Sequence, residues 1–137
     1  ITLIQIACIH KIQNQIIIIL PICLFWGRFS TLFFIEKFEY ISYKKKSISH
    51  KQFWNGFKKE SLISMGFLFI FITCQLISTT SQTIKIKFLF LILIGIFLSY
   101  SVPNVLGKKI GGFNGDACGA SVVLVETAML FMNAILL

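Results

Sequence analysis

Acidic side chains are scarce in this sequence. Its 137 residues hold five Asp and Glu against thirteen Lys and Arg, and Asp116 is the one aspartate. A complete two-metal site draws on several carboxylates, so this stretch alone cannot build one. The two histidines, His10 and His50, stand apart, and no Ser-His-Asp or Cys-His arrangement can be drawn. The four cysteines, Cys8, Cys23, Cys74 and Cys118, include no Cys-x-x-Cys pair, and three lie inside apolar runs. They read as small buried hydrophobes, not a disulfide frame or a zinc site. Charge of either sign is sparse at 13% of residues, against about 25% in a soluble domain. No internal repeat or low-complexity linker is present.

What the sequence does have is long apolar runs. Ile16–Ile35, Leu62–Ser78, Ile86–Val102 and Ala117–Leu137 each approach the ~20 residues that cross a ~30 Å hydrocarbon layer. Backbone groups in lipid must be satisfied within their own segment, so these runs predict helices. The expected fold is all-α: a polytopic integral membrane protein of about four transmembrane helices, forming a single domain over 1–137. No Met opens the chain. Ile1–Ile9 is too short to span and has no charged segment before it, so it does not read as a signal peptide. It reads as the tail of a fifth helix, and the chain as the C-terminal portion of a longer one.

Lysines set the expected orientation. Consecutive spans alternate sides, so connectors 36–61 and 103–115 share one. They carry Lys37, Lys44, Lys45, Lys46, Lys51, Lys58 and Lys59, then Lys108 and Lys109, whereas the other side has Lys11, Lys85 and Lys87. The excess predicts that both connectors are cytoplasmic. Phe53, Trp54 and Phe57 among Lys51, Lys58 and Lys59 suggest an interfacial amphipathic helix. The lysine run itself reads as a topology signal with affinity for anionic lipid, and a polytopic membrane chain argues against nucleic acid as a partner.

The most specific stretch is Gly111-Gly112-Phe113-Asn114-Gly115-Asp116-Ala117-Cys118-Gly119-Ala120, with Glu126 beyond it. Gly111, Gly112 and Gly115 permit backbone angles closed to other residues and expose N–H groups. A helix N-terminus behind such a loop suits an anion, and Lys108 and Lys109 lie just upstream. Magnesium takes one or two carboxylates and fills its shell with phosphate oxygens and water. Asp116 could therefore serve a Mg²⁺-bound phosphate or diphosphate, or act as a helix N-cap. Gly115 and Gly119 form a small-xxx-small pair that predicts close helix packing.

Glu126 lies ten residues past Asp116, ~15 Å along a helix and near mid-membrane. An acid there costs roughly 2.5–3.5 kcal/mol even on lenient scales, so it must face the bundle or a wet cavity. Gly119, Glu126 and Asn133 recur every seven residues and share a face expected to look inward. Asp116 and Glu126 point ~80° apart and cannot grip one ion together. Arg28 lies at a comparable depth on an earlier helix. It is expected to pair with Glu126 or to reach a substrate phosphate.

The glycine run followed by Glu126 resembles the C-terminal signature of the adenosylcobinamide-GDP ribazoletransferase (cobalamin synthase) family, Gly-Gly-x-Thr-Gly-Asp-x-x-Gly-Ala with an acid at the place of Glu126. Gly27-Arg28 resembles the family's Gly-Arg in an earlier helix. Asn114 stands where Thr is usual. Glu39-Tyr40-Ile41-Ser42 lacks the Pro and Arg common there, and the family's Asp-rich motif is not present in this stretch. The resemblance implies a Mg²⁺-dependent enzyme of the bacterial inner membrane. It would join adenosylcobinamide-GDP to α-ribazole, or its 5′-phosphate, and release GMP. Asp116 would bind the metal, and Gly111, Gly112, Asn114, Gly115, Gly119, Lys108 and Lys109 the substrate. Arg28 and Glu126 would organise the cavity. A CDP-alcohol phosphotransferase would need several aspartates at fixed spacing. A non-catalytic or transporter subunit could use Arg28, Glu126 and Asn133 as a pathway but leaves the glycine signature unexplained.

Overall fold

The structure, a computed structural model, describes residues 1–41, 57–78 and 82–136. Five α-helices run in order: α1 (Thr2–Lys11), α2 (Ile16–Lys37), α3 (Phe57–Ser78), α4 (Gln82–Ile110) and α5 (Gly115–Leu136). A short 3₁₀ turn, Gln13–Gln15, joins α1 to α2. The expected interfacial segment around Phe53 and Trp54 lies outside the described residues.

Among the described residues three helices are long and apolar enough to cross a membrane: Ile16–Lys37, Lys85–Ile110 and Gly115–Ile135. The sequence predicts about four spans with the tail of a fifth; three of those spans are established among the described residues. α3 is also 22 residues long, and Ile63–Cys74 is its apolar stretch among the described residues. Lys58, Lys59 and Glu60 open that helix and Gln75 follows its apolar part. The ten-residue α1 lies against α5, where Gln5 Nε2 donates to Thr127 Oγ1 at 2.9 Å.

α2, α4 and α5 pack on one another and form the core. Their contact is built from small and hydroxylated residues, which let apolar helices approach closely in lipid. Ser30, Ser99 and Ser121 are fully buried. Ser121 Oγ donates to Ser30 Oγ at 3.0 Å, and Ser30 Oγ donates to the Gly27 carbonyl at 2.6 Å. Ser99 Oγ is 2.6 Å from the Gly95 carbonyl and 3.1 Å from that of Trp26. Gly95 is required here, because a Cβ would strike the Trp26 indole. Pro103, four residues after Ser99 in α4, has no N–H to offer the Ser99 carbonyl. Large apolar side chains point outward instead: Phe67 is 71% exposed on α3, Phe97 68% on α4. That inside-out pattern belongs to a surface solvated by lipid.

Candidate functional site

The glycine loop is fixed from two directions. At the end of α4, the N–H groups of Gly111 and Gly112 both donate to the Gly107 carbonyl, at 2.8 and 3.0 Å. Gly111 has φ +82° and Gly112 φ +156°, so the reversal after the helix uses angles that favour glycine. From the other side comes the segment leaving α2. The Ile41 N–H donates to the Phe113 carbonyl and the Phe113 N–H to the Glu39 carbonyl, each at 2.9 Å, making a parallel bridge between Tyr40 and Phe113. Gly112 is needed a second time: a Cβ there would come 2.6 Å from the Glu39 carbonyl oxygen. Phe113 is buried under this bridge against Phe34 and Tyr40, with ring centroids 6.3 and 5.4 Å away. The exit of α2 and the α4–α5 loop thus lie at the same end, as the alternation of spans requires.

α5 begins at Gly115, and its cap is Asn114. The Asn114 side-chain oxygen accepts from the Ala117 N–H at 2.7 Å, which satisfies one of the orphan donors of the first turn. This corrects the reading of Asp116 as a possible cap. Asp116 is the second helical residue, exposed, and no described residue hydrogen-bonds its carboxylate. The positive end of the helix dipole still favours its charge. The Gly111, Gly112 and Phe113 amides are taken by the Gly107 and Glu39 carbonyls, which corrects the expectation that the glycine loop exposes its N–H groups. A single outward carboxylate could still hold a magnesium ion that brings phosphate oxygens and water as its other ligands. Among the described residues, no three His, Cys, Asp or Glu side chains gather as a metal cage.

Lys108 and Lys109 are both exposed in the last turn of α4, where they complement its carbonyl end. They point ~100° apart around the helix and do not converge. Gly115 and Gly119 are exposed, and a Cβ at either would meet nothing within 4 Å. The close packing expected of that pair is therefore absent among the described residues. The face through Gly119, Glu126 and Asn133 turns inward with depth: exposed, then half-buried, then buried.

Glu126 lies against α2 at Gly27. A Cβ on residue 27 would be 2.5 Å from Glu126 Cγ and 2.8 Å from Oε1. Gly27 is what lets the carboxylate enter the interface, and Oε1 is buried without a hydrogen-bond partner. The expected Arg28 ion pair does not form within 4 Å. Arg28 follows Gly27 and is turned ~100° from it, onto the exposed side of α2. Sequence reasoning missed the Glu39–Ile41 segment, the Asn114 cap and Gly107, where a Cβ would strike the Phe38 ring. A glycine one turn before a Gly-Gly pair was the available signal for the last.

Fold and site define a polytopic all-helical membrane protein with a glycine loop and one free aspartate at the end where α2, α4 and α5 meet. The model of the cobalamin-5-phosphate synthase family matches residues 1–134, and the chain belongs to that family. It is 38% identical over 142 residues to an adenosylcobinamide-GDP ribazoletransferase of Prochlorococcus marinus (strain SARG), covering 98% of this chain and 52% of the relative. A protein of the same name from strain MIT 9313 is 30% identical over 142 residues, covering 100% and 54%. The chain spans about half the length of the curated relatives it matches. No solved structure matches it.

Proposed function

We propose that this chain supplies the diphosphate-binding end of a Mg²⁺-dependent ribazoletransferase, which joins adenosylcobinamide-GDP to α-ribazole or its 5′-phosphate with release of GMP. The observation that carries this reading is the free carboxylate of Asp116, one residue inside a helix whose preceding glycine loop is held rigid by the exit of α2. Phosphoryl transfer is mainly positioning and charge neutralisation. Bound magnesium would neutralise diphosphate charge and polarise its oxygens.

Asp116 would hold the ion. The amides of Gly115 and Asp116 in the first turn of α5 would orient the diphosphate, with Lys109 adding positive charge. Cys118 donates its amide to the Asn114 carbonyl at 3.0 Å, so the helix proper starts behind the substrate and keeps its dipole aimed at it. Glu126 and Arg28, ~15 Å deeper, would shape the cavity wall rather than share the ion. Both connectors would face the cytoplasm of a bacterial inner membrane, where nucleotide-activated substrates are held.

The test is GMP release by the full-length enzyme as Mg²⁺ is titrated. Asp116→Asn should abolish Mg²⁺-dependent transfer while membrane insertion survives, and Glu126→Gln should be milder. Normal activity in the Asp116 variant would end the metal assignment. An equal or larger loss at Glu126 would place that residue in the chemistry itself.

A further inference from the structure

On the outer side of the same end, away from the glycine loop, a basic and aromatic cluster joins α2 to α4. Lys37 Nζ donates to the Tyr100 hydroxyl at 3.0 Å and lies 4.6 Å from the centre of its ring. Among the described residues no carboxylate pairs with Lys37. Asn104 and Lys108 follow Tyr100 at successive steps of four, which keeps all three on one face of α4. Asn104 Oδ1 is buried and has no donor. Below this cluster the same face turns apolar without a break: Phe97 is 68% exposed and Leu93 64%.

A ligand that fits both halves has an anionic head and a hydrocarbon tail. We propose that Lys37, Tyr100 and Lys108 hold the phosphate of an anionic phospholipid whose acyl chain runs along Phe97 and Leu93. The lysine ammonium gains a counter-charge that no described residue supplies, at the height where Tyr and Lys anchor helices. Free phosphate would satisfy the cations but not the apolar half of the stripe.

The probe is phosphatidylglycerol, added to the whole chain in detergent and counted by native mass spectrometry, with phosphatidylcholine and inorganic phosphate as the comparison arms. Phosphatidylglycerol should be retained and should raise the melting temperature, with phosphatidylcholine weaker. A lysine near the surface is worth about a fivefold gain for anionic lipid, so Lys37→Gln with Lys108→Gln should weaken retention about thirtyfold. Tyr100→Phe should weaken it less, and Lys85→Gln at the opposite end should leave it unchanged. Both lysines are exposed, and the single Lys37→Gln variant provides a milder check on folding. Equal retention of the two lipids, or an undiminished preference in the double variant, would overturn the proposal. So would displacement of the lipid by millimolar inorganic phosphate. A spin label at Phe97→Cys should be reached by lipid-phase quenchers. Protection from them would put protein on this face and overturn it too.

Discussion

Replacing Gly27 by alanine probes the contact that brings Glu126 into the bundle. The new Cβ would lie 2.5 Å from Glu126 Cγ, 2.8 Å from Oε1 and 3.0 Å from Cδ. Carbon pairs rest at about 3.5–4.0 Å, so about an ångström must be found. One response spreads α2 from α5, which strains the Ser121–Ser30 hydrogen bond of 3.0 Å. Overpacking of this kind costs about 1–3 kcal/mol. The other response swings Glu126 out of the interface, and an acid turned to lipid costs roughly 2.5–3.5 kcal/mol. Spreading is therefore the cheaper route. Alanine recovers about 0.5–1 kcal/mol over glycine in a helix, leaving a net loss of about 1–2 kcal/mol. Denaturant titration in detergent micelles, followed by Trp fluorescence, measures it. Glu126→Ala removes all three clashing atoms. In that background Gly27→Ala should be neutral or mildly stabilising, a coupling well above the ~0.5 kcal/mol scatter of independent sites. Additive effects of the two substitutions would refute the contact as the reason for glycine.

Two further substitutions separate a cap from a packing face. Asn114→Ala should cost about 1 kcal/mol in thermal stability and speed hydrogen exchange at the Ala117 amide, whereas Asn114→Thr should keep most of the cap. Gly119→Ala should raise the melting temperature slightly, by up to about 1 kcal/mol of stability, because nothing lies within 4 Å of the added Cβ. A drop instead would show that another polypeptide packs on that face.

The spans of α2, α4 and α5 were legible because a long, predominantly apolar run admits one physical solution in lipid. α3 reads the same way in sequence from Leu62 to Ser78, and among the described residues its apolar stretch is Ile63–Cys74. The loop and its aspartate were legible from glycine chemistry. The choice of cap was not: Asn114 and Asp116 are two residues apart, and which one caps depends on where the first helical turn closes. The Tyr40–Phe113 bridge left no trace in the sequence because its hydrogen bonds run from backbone to backbone, and nearly any side chain could occupy those positions. Arg28 and Glu126 were placed at the right depth. Depth follows from residue counting, but rotation about the helix axis decides who meets whom, and it sent Gly27, not Arg28, to Glu126.

The bridge also explains how an aspartate at the first turn of one helix can be held in register with residues on another. α2 carries Gly27, Arg28 and Ser30, and α5 carries Asp116, Ser121 and Glu126. Below the loop these helices meet through Ser30–Ser121 and Gly27–Glu126; at the loop they meet through the Phe113 amide and carbonyl. Two attachments ~15 Å apart leave little freedom to rotate one helix against the other. Asp116 is then free in its side chain yet fixed in its backbone. That combination would let Asp116 meet a ligand without disturbing the cap, which Asn114 already supplies.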